Sequence, residues 1–248
     1  MNKFYKFKNL ATDNAELYIY GAITDHKDED WFINESDVDL DDFKSKLDEL
    51  IQGSTLNIYV NSPGGSVFAA STMCSMLKRA KEIKNIKIIA YIDGLAASAA
   101  SFLIMSADEI KVYSNSMLMV HKPLSFVYGN AEDMKKEIDV LDNIEENIML
   151  PLYESKSKVS IKEIKDLVDK ESWLSAKEVD NYFNVTLLNE SKDCLAMVDK
   201  NIFTYYKNVP DIFKNNCEPK QQKVVEDINQ NIDYSYFDEK LKKIGGKK

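Results

Sequence analysis

Histidine is scarce in this chain. Its 248 residues hold two, His26 and His121, so any chemistry that needs an imidazole base must use one of them. Cysteine is scarce as well. Cys74, Cys194 and Cys217 are odd in number, widely spaced and without a CxxC pair. That pattern gives no obvious disulfide framework and points to a reducing compartment. Basic excess is missing: the formal net charge is −9, which argues against a nucleic-acid coat. No apolar run has the length of a membrane span. The opening residues Met1–Gly21 lack the apolar core of a secretory leader. The expected setting is therefore cytoplasmic, with neither nucleic acid nor membrane as partner. What the chain does hold is 44% apolar content, enough for one sizeable core plus an appendage.

The stretch Ile88–Ser101, IIAYIDGLAASAAS, organises the reading. Ile88–Ile92 is apolar and β-branched, which suits a buried strand. Asp93-Gly94 reads as its break. Ala96, Ala97, Ser98, Ala99, Ala100 and Ser101 are small and suit the start of a tightly packed helix. A serine where a strand gives way to a helix can show its hydroxyl to a cleft, beside unpaired N–H groups that favour negative charge. Ser98 is thus either a nucleophile or a plain helix N-cap. A similar choice arises at Asn61–Ser66, NSPGGS, between the strand Leu56–Val60 and a helix with Val67, Ala70, Met73, Cys74 and Leu77 on one face. Its Pro-Gly-Gly turn brings backbone close to something. It is an ordinary connection, or a pair of N–H groups facing a reacting carbonyl. His121 ends the strand Ser116–His121, ahead of Lys122-Pro123, as a structural residue or a base. His26 lies among acids in the loop Thr24–Asp42 and reads as surface.

Further strands are expected at Glu16–Tyr20, Ile86–Ile92 and Glu109–Tyr113, with a helix over Asp42–Ile51. Their alternation implies a mainly parallel sheet inside helices. Asn130 to about Ser157 carries one long helical pattern, with Met134, Ile138, Leu141, Ile144, Ile148 and Leu152 at threes and fours and Pro151 as a kink. Such a helix either packs in its own core or meets a second subunit. Ser160 and Ser175 open capping boxes with Glu163 and Glu178, predicting helices to about Val168 and Tyr182. Val185–Leu188 reads as a last edge strand. After about Ser191 polar residues dominate and the apolar period fades. The division is a folded domain over 1–190 and a polar extension over 191–248, partly disordered or used in assembly. The extension is net basic and the body acidic, so docking at low salt is the other reading. Phe203-Tyr205-Tyr206, Phe213 and Tyr234-Tyr236-Phe237 argue against complete disorder.

Taken together, NSPGGSVF (Asn61–Phe68), DGLAASAAS (Asp93–Ser101), MLMVHKP (Met117–Pro123) and ESWLSAKE (Glu171–Glu178) resemble the Clp protease proteolytic subunit family in order and spacing. The segment Tyr128–Ile148 looks more like one branch of it, the phage or prophage head maturation (prohead) protease. The resemblance covers about Glu16 to Leu188. It implies an α/β fold of the ClpP/crotonase kind: layered, mainly parallel strands, outer helices and a projecting long oligomerisation helix. It implies a serine endopeptidase with Ser98 as nucleophile, His121 as general base, and Gly65 and Ala99 as oxyanion-hole donors. The orienting acid is Glu171, where the family's Clp subunit usually has Asp, with Asp169 two residues away as the alternative. No metal or organic cofactor is implied. The implied partners are a protein or peptide substrate and further copies of the chain in a heptameric ring or stacked rings. Phage capsid or scaffold proteins would be cut during prohead maturation. The alternatives are a cellular Clp-type subunit fed by an ATPase unfoldase and a non-catalytic capsid-assembly factor of the same fold. A crotonase-superfamily acyl-CoA enzyme would not call for this Ser and His pair. A Ser/Lys dyad through Lys122 is disfavoured because strand alternation turns Lys122 the other way.

Overall fold

The computed structural model describes residues 4–24, 40–191 and 200–211. The expectations for His26, Cys194, Cys217 and most of the acidic loop lie outside those residues. The chain divides into Met1–Pro210 and Asp211–Lys248, and every element below belongs to the first unit.

Strand formation follows the β-branched and aromatic runs. β1 (Tyr5–Lys8) was not apparent in the sequence; it pairs antiparallel with β2 (Asn14–Tyr20) at the sheet edge. β3 (Thr55–Ser62), β4 (Lys87–Ala97) and β5 (Glu109–Tyr113) continue the sheet in parallel, and β8 (Thr186–Leu188) closes its far edge on β5. A second layer branches from the end of β4. There β6 (Met117–Val120) pairs parallel with Leu95–Ala97, and β7 (Ser172–Ser175) pairs antiparallel with β6.

β4 departs from the expectation of a strand broken at Asp93-Gly94. It runs on to Ala97, so Ala96 and Ala97 are strand residues and the helix begins later. Gly94 does not take up a positive φ. The reason is tertiary. The first half of β4 alternates between buried and half-exposed residues, whereas Asp93–Ala97 is buried throughout, because β3 flanks it on one side and β6 on the other. Asn61 in β3 accepts the Leu95 N–H through its side-chain oxygen at 3.2 Å, and Tyr20 donates to the Asp93 carboxylate. Buried polar groups need such partners.

Helices flank the sheet. α1 (Leu40–Asp48) begins within the acidic run, whose Asp41 and Asp42 occupy its first turn, where negative charge opposes the N-terminal dipole. α2 (Val67–Lys84) buries Ala70, Met73, Cys74 and Leu77 as its period requires, and Ser66 caps it by accepting the Ala69 N–H at 3.2 Å. Burial pushes the Cys74 thiol up to about 12, so it is an inert core residue. The long helical pattern forms α4 (Ala131–Ile144), a π-helical turn Glu145–Met149, and α5 (Leu150–Glu154). Pro151 sits in the first turn of α5, where its missing N–H does least harm. α6 (Ile161–Asp169) and α7 (Ala176–Tyr182) both carry the expected capping boxes. Between β4 and β5 lies only the short α3 (Ala99–Leu103) with a 3-10 turn after it.

One surface of the sheet carries a tyrosine ladder. Tyr18, Tyr59 and Tyr91 are in register on β2, β3 and β4, and neighbouring rings stack at 5.0 Å. Lys8 and Lys111 cover its two ends by cation–π contact.

Candidate active site

Ser98 stands at the junction of β4 and α3. Its backbone has φ 52° and ψ −124°, outside the comfortable regions for a residue with a Cβ. Such a conformation costs on the order of 1–3 kcal/mol and persists only where surrounding structure imposes it. Here the Ser98 N–H donates to Met119 O at 2.9 Å, extending the β4–β6 ladder. Below it, the Ser101 N–H and hydroxyl both donate to the Ser98 carbonyl, at 2.8 and 2.6 Å, and the Ser101 hydroxyl meets the Tyr153 hydroxyl at 2.6 Å. Tyr153 is fully buried on α5. The turn is therefore held from a strand on one side and from the long helix on the other.

Although Ser98 occupies the N-cap position of α3, its side chain caps nothing. Its hydroxyl lies 2.7 Å from His121 Nε2 instead. Strand pairing produces this meeting. Ala97 is opposite Met119, so Ser98 and His121, each just past its strand, emerge at the same end of the sheet. His121 is buried, and desolvation lowers its pKa to about 4, with nearby Glu171 opposing that shift. The imidazole is thus neutral near pH 7, as a proton acceptor must be.

The Pro-Gly-Gly turn packs onto the Ser98 turn. A Cβ on Gly64 would stand 2.6 Å from Ala97 O and from Ser98 Cβ, and 2.8 Å from Ala99 N. Only glycine allows that approach, and Gly64 has φ +92°. Gly65 is clamped from behind by Ile23: the Ile23 N–H donates to Gly64 O and the Ser66 N–H donates to Ile23 O, both at 2.7 Å. A Cβ on Gly65 would meet Ile23 O at 2.1 Å. The "something" that this turn approaches is the Ser98–Ala99 backbone.

The two candidate acids are held differently. Asp169 pairs with Lys122 at 2.9 Å. Lys122 also faces buried Glu145 of the π turn at 3.5 Å, so the lysine is engaged there rather than at Ser98. Glu171 has φ +50° and precedes β7. Its carboxylate accepts the Lys207 N–H at 3.0 Å and the Asn208 N–H at 2.6 Å. It also lies close enough to His121 to act on it electrostatically.

Two features were not foreseen. Ser101 and Tyr153 brace Ser98 from beneath; both are ordinary core residues by sequence period. Tyr206 packs edge-on against His121 with ring centroids 5.1 Å apart and donates to Pro63 O at 2.7 Å. Its one sequence signal was the aromatic cluster Phe203-Tyr205-Tyr206.

A family model described as Clp protease matches residues 45–183, more than half of the chain. The chain belongs to the Clp protease family. Its relatives include the ATP-dependent Clp protease proteolytic subunit 1 of Prochlorococcus marinus, 29% identical over 138 residues that make up 54% of this chain and 67% of that protein. The corresponding subunit of Porphyromonas gingivalis is 26% identical over 138 residues, 55% of this chain and 60% of its own length. A ClpP1 mutant from Listeria monocytogenes shares the fold with a TM-score of 0.55 at 25% identity, over 71% of this chain and 91% of that one. The layered α/β fold expected from the Clp-like motifs is therefore borne out. Ser98, His121, Gly65 and Glu171 all lie inside the matched stretch of this Clp-family chain.

Proposed function

We propose that this Clp-family chain is a serine endopeptidase. The observation that carries the reading is the Ser98 hydroxyl, withheld from helix capping and bonded to His121 Nε2 at 2.7 Å. Neutral His121 takes the Ser98 proton as the oxygen attacks a peptide carbonyl. The tetrahedral oxyanion is received by the Gly65 and Ala99 N–H groups. Each such donor is worth about 2.7–4 kcal/mol of transition-state stabilisation. His121 then gives its proton to the leaving amine, and water resolves the acyl-enzyme by the same route in reverse. Glu171, whose oxygens here accept the Lys207 and Asn208 N–H groups, turns in the working enzyme to receive the second imidazole N–H and stabilises the imidazolium. A fluorophosphonate label followed by peptide mapping tests this. Modification at Ser98, lost in Ser98→Ala, supports it; labelling elsewhere, or cleavage unchanged in Ser98→Ala, overturns it.

The natural substrates in this reading are capsid or scaffold proteins processed inside a phage prohead, on the strength of the Tyr128–Ile148 resemblance. Self-association into rings is supported by an exposed apolar surface. On α4, Met134 and Ile138, one turn apart, are 47% and 57% exposed, and Tyr128 before the helix is 92% exposed. Patches of this kind mark interfaces. The second reading is a cellular subunit working with an ATPase unfoldase. Relatives described as ATP-dependent favour it, and the tyrosine ladder offers the amphipathic surface that partner interfaces prefer. Both readings place the chain in a bacterial cytoplasm or a prohead. Among the described residues no helix is long and apolar enough to cross a membrane.

A further inference from the structure

The segment 203–209 lies across the catalytic residues. Phe203 is buried against Trp173 with ring centroids 6.0 Å apart, and Val209 is buried as well. Tyr206 packs between Trp173, at 6.0 Å, and His121, at 5.1 Å. Its phenol donates to Pro63 O at 2.7 Å and lies near the Ser98 hydroxyl. One step further on, the Lys207 and Asn208 N–H groups donate to the two oxygens of Glu171, and the Asn208 side-chain amide donates to Lys170 O at 2.8 Å.

Two consequences follow for the chemistry. A scissile peptide must lie beside Ser98 and the Pro-Gly-Gly turn to be attacked, and the Tyr206 ring and hydroxyl fill that volume. In addition, Glu171, the group that would orient His121, directs its oxygens at the segment's backbone amides. Hydrogen bonds to a carboxylate are among the stronger ones, so the segment and the imidazole compete for the same acid.

We propose that Phe203–Val209 is an internal strap that occupies the peptide cleft and inhibits the enzyme, with Glu171 as the catch on which it closes. The proposal rests on the serine-peptidase reading of Ser98 and His121. The strap is held by a few side chains, Phe203, Tyr206 and Val209, and by the Glu171 catch. Tyr205, Lys207 and Asn208 are exposed. Loss of one anchor therefore shifts it towards the open form. In that form the cleft admits a peptide, and Glu171 is released to turn to His121. An enzyme open only part of the time reacts in proportion to its open fraction.

The test compares full-length protein with Tyr206→Ala and with Asn208→Pro. The second change removes the Asn208 N–H donor to Glu171 together with its side-chain donor to Lys170 O, and leaves the aromatic side chains in place. The rate of fluorophosphonate labelling at Ser98 is followed, with Ser98→Ala as blank. Both variants are expected to label at least about tenfold faster, and a synthetic peptide of residues 200–211 is expected to slow Tyr206→Ala again. Equal rates in all forms overturn the strap while leaving the nucleophile assignment intact. Slower labelling in both variants also overturns it and makes the segment part of the working site. Absence of labelling in every form overturns the serine-peptidase reading, and the strap with it.

Discussion

His121 carries opposing demands. In the proposed mechanism it must be neutral to accept a proton, and it must be stable as an imidazolium in mid-reaction. Burial meets the first by lowering its pKa from 6.5 to about 4, and the Glu171 charge opposes that shift and serves the second. The same burial ties stability to pH. Between pH 6.5 and 4 the unfolded chain binds a proton at this residue that the folded chain refuses. Stability therefore falls as pH drops through that window, by up to about 3 kcal/mol from this group. Denaturant titrations at pH 7 and pH 4.5 check it: His121→Gln should flatten the difference. The acids separate at this scale too. Glu171→Gln should lower kcat on the order of 10²–10⁴-fold, since an amide no longer balances the imidazolium. Asp169→Asn breaks a half-exposed pair with Lys122, worth about 0–1 kcal/mol, and should leave turnover nearly unchanged. Peptidase assays on the two variants decide which carboxylate orients His121.

At the scale of elements, the site is a meeting of a strand end, a short helix and a glycine turn. β4 is long enough to pair with β5 in its first half and with β6 in its second. That double pairing delivers Ser98 to His121. The Pro-Gly-Gly turn closes the third side because Gly64 has no Cβ to collide with Ala97 and Ser98. Gly64→Ala should therefore cost at least about 2 kcal/mol through the positive φ and the backbone clash. For a chain of this size that is a fall in Tm of about 5 °C, read by thermal unfolding, and catalysis should fall with it. The helical elements were legible from caps and period. Ser160 and Ser175 open α6 and α7 as their capping boxes predicted, because those signals are local. β1 and β7 were not: short edge strands draw their definition from the partner they pair with.

For the whole molecule, α4 bears on assembly. α4 leaves Met134 and Ile138, neighbours on one face, in water, although an isolated amphipathic helix gains most of its stability by burying such a face. Ile138→Glu should shift the proposed ring towards smaller species in sedimentation velocity while the monomer fold, followed by circular dichroism, persists. An unchanged sedimentation profile would remove α4 from the interface.

The features written directly into the chain are local and periodic. It held the strand and helix alternation, the capping boxes, the glycine turn, and a serine and a histidine in the order and spacing of the Clp protease family. These rest on interactions within a few residues or on patterns that repeat every two or four. Contacts between distant segments came from packing alone. That Ser98 spends its hydroxyl on His121 and not on capping α3 depends on the β4–β6 register. That Tyr206, from beyond the expected domain boundary, lies against His121 depends on a fit among Trp173, Pro63 and Glu171. Neither contact leaves a period in the chain, because the residues that make it are separated by loops whose course is set by packing.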